Sequence, residues 1–302
     1  MARALSRLID WRRATALATL ALVALLAPLS GHAREHHVLW AVAGKHNTVY
    51  LLGSIHVLRA EDGGLPPEAQ AAYRDAERLV MELDMDDVMA DPTSIALVAQ
   101  RLAMLPPGQT LQGVLGSDYP VLAGKARGLG LDLSLLERFQ PWFVATVMLQ
   151  EQLAQRGFSS ERGVEETLTR RAIADHKPIT GLETPEQQLR VLASLPMNEQ
   201  KRFLRMTLDE MADFDSEVAD MLGAWRSGDT DRLARVLSEG FDQFPELYKP
   251  LTEDRNRVWV REIADLLDDD DDYLVVVGAL HLVGRNSVVD LLEQRGYRVE
   301  QR

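Results

Sequence analysis

The sequence predicts an α/β fold, of the α+β kind, in which a central mixed β-sheet is completed by the N- and C-terminal segments and a helix-rich insertion forms a cap. Three observations lead to this prediction. Apolar, strand-like segments lie near both ends of the chain, and helical periodicity dominates the stretch between them. A third is that no low-complexity linker divides the chain. With 302 residues, 46% of them hydrophobic, the chain is long enough to bury one sizeable core.

The first 33 residues have the pattern of a secretory signal peptide. Basic residues between Arg3 and Arg13 precede an apolar run over residues 14–29, and small residues follow as far as Ala33, after which cleavage is expected. The run is shorter than the roughly 20 residues of a membrane-spanning helix, and an uncleaved anchor is the alternative. We therefore expect a single exported domain over residues 34–302, most simply in a bacterial periplasm, with no transmembrane segment in the mature chain.

Charge and cysteine content exclude several functional classes. The chain has 46 Asp and Glu against 33 Lys and Arg, a net charge of −13. The leader carries four arginines and one aspartate, so its removal leaves a net charge of −16. Such an acidic chain does not favour nucleic acid as a partner. Cysteine is absent, which excludes disulfides, thiolate catalysis and cysteine-based zinc sites.

The N-terminal part of the predicted domain combines strands with a helix. The expected elements are strands over residues 38–42 and 48–52 around a polar turn, a helix from residue 66 or 67 to about 78, and a strand over 79–84. In the last of these strands, a period of two places Glu82 and Asp84 on one face. Residues 86–175 are mainly helical in pattern, and Ser134 with Glu137 is predicted to form a capping box.

In the C-terminal part, a strand over residues 177–183 is expected to end at a helix start. Thr184 as N-cap, Pro185 in the first turn and Gln187 three residues after the cap predict that start. The remaining expected elements are a helix over 198–226, a strand over 273–277, a helix from about 287 and a strand over 297–299. The sequence thus predicts mainly helices over residues 185–270.

One pattern occurs twice in the chain. Residues 50–58 and 275–283 both have an apolar strand followed by glycine, two residues and histidine, which gives Gly53 with His56 and Gly278 with His281. The glycine permits close backbone approach, and the histidine then lies at a strand end, where ligands bind in open α/β sheets. A single Gly-x-x-His segment is typical of a core histidine, but two matching copies among seven histidines predict one shared pocket.

Two neutral imidazoles suit zinc, manganese, cobalt or iron, and a carboxylate commonly completes such a ligand set. Glu82 is the candidate carboxylate, since it lies in a short apolar segment where an unpaired charge is costly. The resulting set of His56, Glu82 and His281 leaves positions open for water and substrate. The alternative for Glu82 is a buried salt bridge, with Arg255 as the partner.

Three further polar residues are candidates for catalysis. Glu183 is positioned to orient a ligand or to act as general base, and its alternative is a carboxylate favoured near a helix N-terminus. Arg255 and Asn256 are candidates for binding a substrate carboxylate or an oxyanion. Capping or pairing within the fold is the equal alternative for both.

Taken together, these segments resemble the TraB/GumN family, which includes the Tiki-type proteases. The resemblance covers residues 38 to 299 and rests on the following segments: residues 53–56, 81–84, 181–188 and 278–281, and residues 254–256 with Trp259. It implies an α/β fold with a metal site built from His56, Glu82 and His281. The Tiki branch further implies a manganese- or cobalt-dependent peptidase. One departure is Glu165, in Gly163-Val164-Glu165, where the family pattern has an aspartate.

The sequence therefore predicts an exported metal-dependent hydrolase, peptidase-like, that acts on an amide bond of a peptide or protein. The expected cofactor is a divalent metal ion: manganese, cobalt or zinc. The alternative is a non-catalytic regulatory protein of the same fold that binds peptides or haem. An esterase-like activity on a small molecule is a third hypothesis, because a metal-activated water can attack an ester as well.

Overall fold

A six-stranded mixed sheet lies at the centre of the fold. The computed structural model describes residues 37–210, 214–239, 241 and 245–302, so the predicted signal peptide lies outside the described residues. The strands are β1 (Leu39–Ala43), β2 (Thr48–Ser54), β3 (Arg78–Met81), β4 (Ile179–Gly181), β5 (Tyr273–Gly278) and β6 (Val299–Gln301).

The strand order is β4-β3-β5-β2-β1-β6. The four strands β4, β3, β5 and β2 run parallel to one another, whereas β1 pairs antiparallel with both β2 and β6. All six residues of β5 are buried, as expected of a central parallel strand covered on both faces. The first and last strands lie side by side, with Trp40 paired to Gln301. The predicted α/β fold, with a sheet completed by both chain ends, is confirmed.

Helices occupy most of the remaining described chain. They are α1 (Pro67–Asp75), α2 (Met85–Ala90), α3 (Pro92–Ala103), α4 (Leu111–Leu115), α5 (Tyr119–Gly128), α6 (Pro141–Gln155), α7 (Val164–Asp175), α8 (Pro185–Ala193), α9 (Met197–Glu210), α10 (Phe214–Ser227), α11 (Thr230–Glu239), α12 (Pro245–Tyr248), α13 (Asp254–Leu266) and α14 (Val288–Gln294). The predicted start of α8 is correct, because Thr184 and Gln187 exchange the two hydrogen bonds of a capping box.

Several predicted boundaries are wrong. The strand expected over 79–84 ends at Met81, so Glu82 and Asp84 follow the strand rather than alternate within it. Ser134 does not cap a helix; its own N–H is capped by the Asp132 carboxylate, 2.9 Å away. The last strand lies two residues later than predicted, since pairing with β1 sets its register.

The helix expected over 198–226 is described in two parts. They are α9 and α10, and residues 211–213 between them lie outside the description. No helix in the described ranges is both long and apolar enough to cross a bilayer.

Two groups of buried apolar side chains stabilise the fold. One surrounds the sheet and includes Leu51, Val275 and Trp259, each at most 1% exposed. The other lies among α4, α5, α6 and α9 and includes Leu111 and Met148. Burying a side chain of this size contributes about 1.5–3 kcal/mol. The helix-rich insertion therefore has a core of its own, separate from the core around the sheet.

Candidate metal centre

The carboxyl ends of the four parallel strands bring the predicted site residues to one edge of the sheet. His56 follows β2, Glu82 follows β3, Glu183 follows β4 and His281 follows β5. Because these strands are neighbours in the order β4-β3-β5-β2, the four side chains are delivered to adjacent positions. This edge is where open α/β sheets bind ligands.

His56 is oriented by a carboxylate that the sequence did not assign to the site. Its Nδ1 lies 2.5 Å from Oε1 of Glu165, and the Ser54 hydroxyl donates to the same oxygen. Since a carboxylate only accepts, Nδ1 carries a proton and Nε2 is the ring atom that faces the site. Glu165 lies in the first turn of α7. The signal in the sequence was the Gly163-Val164-Glu165 segment, which stood out only as a departure from the family pattern.

Gly163 allows this approach. A Cβ atom at Gly163 would lie 2.1 Å from the His56 carbonyl oxygen, closer than any real contact. The start of α7 is therefore packed directly against the backbone of His56. This contact places the Glu165 side chain beside the imidazole.

His281 is held in a similar way by an amide. Its Nδ1 lies 2.6 Å from Oδ1 of Asn256, and the Asn256 amide nitrogen donates to the carbonyl of Asn286 at 2.9 Å. That second bond identifies Oδ1 as the atom facing His281, so Nδ1 is the donor and Nε2 is free of a proton. Trp259 packs on the imidazole, with ring centroids 4.5 Å apart. Both His281 and Asn256 are buried.

Glu82 lies between the two histidines. Its Oε1 accepts the backbone N–H of Gly278 at 2.7 Å and lies 3.8 Å from Nε2 of His281. A Cβ atom at Gly278 would lie 3.2 Å from this Oε1 and 3.3 Å from Nε2 of His56. The glycine of the second Gly-x-x-His segment thus leaves one small space that borders both the carboxylate and the first imidazole.

Arg255 connects the carboxylates of the site. Its Nη2 donates to Oε2 of Glu82 at 2.6 Å and to Oε1 of Glu183 at 2.5 Å, and its Nε donates to the other Glu183 oxygen at 3.1 Å. Its Nη1 lies 3.1 Å from Nε2 of His281. The buried salt bridge considered as the alternative for Glu82 is therefore present, and Glu183 shares the same guanidinium.

Asn256 pairs within the fold, the alternative considered beside its contact with substrate. Both ends of its amide are used inside the fold, and the side chain is 2% exposed. It holds His281 in place and does not face a ligand.

The local charges shift the pKa values of these groups in different directions. The Glu165 carboxylate raises the pKa of His56 to about 9, although burial opposes it. Burial lowers the pKa of His281 to about 4. Burial also disfavours the charged form of Glu82, but the electrostatic interactions with His281, Arg255 and His56 and the Gly278 N–H outweigh it and bring the pKa to about 2. Burial raises the pKa of Glu183 despite its pairing with Arg255. The imidazole of His56 is thus more basic than that of an ordinary histidine, whereas the imidazole of His281 stays neutral at pH 7.

The donor set fits a divalent cation. Glu82 and Glu183 share the single guanidinium of Arg255, and Glu165 pairs with His56, so the three carboxylates carry two more negative charges than Arg255 balances when both imidazoles are neutral. Both histidines are held through Nδ1, which leaves Nε2 as the atom available to a metal, an arrangement typical of metal-binding histidines. Within the described residues, however, no three His, Cys, Asp or Glu side chains are already arranged as a complete metal-binding group. His281 reaches a metal only if its contact with Arg255 is given up.

Comparisons with known proteins agree with the resemblance seen in the sequence. The model of the TraB/PrgY/gumN family matches residues 38–301. The chain is 25% identical to an uncharacterized protein of Treponema pallidum, over 86% of this chain and 81% of that protein. It is 26% identical to the uncharacterized protein YbaP of Escherichia coli, over 80% of this chain and 87% of that protein.

A further relative has a named activity. The chain is 27% identical to the metalloprotease TIKI2 of Xenopus tropicalis over 87% of its own length, and it spans 59% of that longer protein. No solved structure matches the chain. Because the family model matches far more than half of its length, the chain belongs to the TraB/PrgY/gumN family.

Proposed function

We propose that the protein is a metal-dependent hydrolase, peptidase-like, that cleaves an amide bond in a peptide or protein. The observation that carries this proposal is the convergence of His56, Glu82 and His281 at the ends of three adjacent parallel strands, with both histidines held through Nδ1. The metalloprotease among the relatives supports the same reaction class. Manganese, cobalt or zinc suits this donor set.

Each residue of the site has a separate role in the proposal. His56, Glu82 and His281 hold the ion, which when bound lowers the pKa of a coordinated water and polarises a carbonyl. Glu183, whose pKa is raised by burial, accepts a proton as general base. Arg255 neutralises negative charge that develops on the substrate oxygen, since its guanidinium already lies among these groups.

Two residues act through the histidines. Glu165 and Asn256 fix the tautomer and the ring orientation of His56 and His281 without contacting substrate. We also propose export of the chain with removal of the leader after about Ala33, which would bring the site to periplasmic peptides. N-terminal sequencing of the protein recovered from the periplasm tests this step.

One observation favours a second candidate, a non-catalytic protein that binds peptides or haem. Arg255 pairs with Glu82 and Glu183 and hydrogen-bonds to Nε2 of His281, so most of the site's polar groups have partners without a metal. A pocket of this kind can be retained for binding alone.

Metal analysis and a cleavage assay separate the two candidates. The purified wild-type protein is expected to hold one equivalent of divalent metal, and His56→Ala and His281→Ala are expected to lose it. Wild-type protein loaded with metal is expected to cut a mixed peptide library, and chelation is expected to stop the cleavage. Equal metal content in all three proteins would contradict the proposed site. Stoichiometric metal without any cleavage would favour the binding protein.

A further inference from the structure

A cavity of about 220 Å³ adjoins the candidate metal centre. His56 and Glu82 form its polar side, and Met81, Leu83 and Met85 form its apolar side. Leu83 and Met85 are only partly buried, so apolar surface is exposed directly beside the reacting groups. The lining therefore combines an apolar side with polar groups of the site, and such polar groups fix the orientation of a bound ligand.

The size of the cavity suits one side chain. An apolar cavity of about 150 Å³ accommodates a benzene molecule, so about 220 Å³ is enough for the side chain of leucine, methionine or phenylalanine. The partly exposed Met85 has an unbranched thioether side chain, which adapts to ligands of different shape. The walls therefore favour an apolar side chain but do not require one specific shape.

The charges around the cavity exclude acidic occupants. Glu82, Glu165 and Glu166 all line it. Each of these carboxylates already has a cationic partner: Arg255 for Glu82, His56 for Glu165 and Arg170 for Glu166. A carboxylate entering this space would lie among three carboxylates and would find no unpaired cation among the described residues of the lining, which costs free energy and acts as a specificity device.

We propose that this cavity is the specificity pocket of the site. It takes an apolar side chain of about the size of leucine, methionine or phenylalanine, from the substrate residue that adjoins the bond to be cut, and it rejects aspartate and glutamate. This assignment rests on the proposed peptidase function and adds a class of substrate to it.

Binding of uncleavable peptides tests the pocket apart from catalysis. The probes are pentapeptides Ala-Ala-X-Ala-Ala, with X as Leu, Met, Phe, Gly or Asp, in which the bond before or after X is a reduced amide. Calorimetry measures their binding to the metal-loaded protein and to the chelator-treated protein. The Leu, Met and Phe peptides are expected to bind at least about tenfold more tightly than the Gly and Asp peptides in both forms.

Two variants with matched bulk locate the preference in this cavity. Ser160 is exposed and lines the cavity, so Ser160→Trp is expected to fill its opening and to abolish the preference for Leu over Gly. Its exposed neighbour Glu161 lines a different cavity, beside Arg59, so Glu161→Trp is expected to keep the full preference. Circular dichroism and the thermal midpoint of each variant show whether it is folded.

The outcomes distinguish this inference from the proposed function. A wild-type protein that cleaves peptides but binds all X residues equally would overturn the pocket alone. A preference for apolar X without any cleavage would support the pocket and contradict the peptidase. Equal loss of preference in Ser160→Trp and Glu161→Trp would also overturn the assignment, as would failure of any peptide to bind either form.

Discussion

Glu82 and Gly278 meet across the ends of two neighbouring parallel strands, where the Glu82 carboxylate accepts the Gly278 N–H at 2.7 Å. Glycine at this position both supplies the donor and leaves the space that Glu82 shares with His56. The orientation of the carboxylate is thereby fixed at the carboxyl end of β3. Gly278 is therefore as much part of the site as the histidine three residues later.

Replacing Gly278 tests whether metal binding depends on the space that Glu82 shares with His56. In Gly278→Ala the new Cβ would lie 3.2 Å from Oε1 of Glu82 and 3.3 Å from Nε2 of His56, so one of these groups must move. Overpacking of this kind costs about 1–3 kcal/mol, and we expect metal affinity to fall by about tenfold or more. Calorimetric titration with Mn²⁺, Co²⁺ and Zn²⁺ measures the effect.

Gly124→Ala is the matched control for that experiment. Gly124 lies within α5, and a Cβ atom there would meet nothing within 4 Å. Because alanine is the better helix former, this variant should be equally or more stable and should bind metal like the wild type. Unchanged metal affinity in Gly278→Ala would show that the shared space is not used for the ion.

Glu165 is expected to increase the affinity of the site for a metal ion, because it orients His56. In Glu165→Gln the side chain keeps its size but loses the charge that faces Nδ1 of His56. The loss of such a partner of a metal-binding histidine typically lowers affinity by about 10–100-fold. Calorimetry measures the affinity, and ¹⁵N chemical shifts of the imidazole show whether the proton leaves Nδ1. The exposed Glu161→Gln is the control, and similar affinities in both variants would argue against a positioning role.

A buried ion pair away from the metal centre is expected to make stability depend on pH. Asp62 is 7% exposed and accepts hydrogen bonds from Arg59 and, at 2.8 Å, from Arg226 on α10. Burial alone would raise the pKa of Asp62, but these arginine hydrogen bonds outweigh it and hold the pKa below its ordinary value. The stabilisation is therefore complete above the pKa of the unfolded chain, about 3.9, and is lost as pH falls through the lower folded value.

Asp62→Asn measures that contribution. We expect it to reduce the free energy of unfolding by about 2 kcal/mol at pH 7, because hydrogen bonds to a charged group are lost. The difference from the wild type should shrink below about pH 4, where Asp62 begins to be protonated in the unfolded chain. Urea unfolding at several pH values provides the data. Glu61→Gln, at an exposed neighbouring position, should change stability little, and a difference for Asp62→Asn that stays constant down to pH 2 would contradict the assignment.

The repeated Gly-x-x-His pattern could be interpreted from sequence because it is local. An apolar strand followed by glycine places a histidine at a strand end, and in a parallel sheet those ends share an edge. The position of Glu82 at the same edge follows from the same reasoning, although the strand itself ends three residues earlier than predicted.

Other parts of the site depend on contacts that no local pattern contains. Glu165 reaches His56, 109 residues earlier, only because Gly163 packs against the His56 carbonyl. The amide of Asn256 faces His281 because the carbonyl of Asn286 fixes its other end. Such orientations are set by tertiary packing, so the sequence left open whether Asn256 contacts substrate or pairs within the fold.

Arg255 pairs with both Glu82 and Glu183, so we expect the effects of substituting Arg255 and Glu183 on the free energy of unfolding to be strongly coupled. Arg255→Ala leaves both carboxylates without their guanidinium in a partly buried position, and removal of one partner of a buried pair costs about 3–5 kcal/mol. In Glu183→Gln plus Arg255→Ala, one of the two stranded charges is also removed. The double variant should therefore be more stable than the sum of the single changes in unfolding free energy predicts, by about 1–3 kcal/mol.

Urea unfolding of the wild type, both single variants and the double variant completes this cycle. Arg257→Ala provides the control, because Arg257 is exposed and its pairs with Glu253 and Asp254 lie at the surface, where ion pairs contribute about 0–1 kcal/mol. Additivity within about 0.5 kcal/mol would mean that Arg255 and Glu183 do not share one charge network. The same guanidinium contacts Nε2 of His281 and must leave it before that histidine can bind a metal. Strong coupling would therefore also indicate that displacing Arg255 costs free energy.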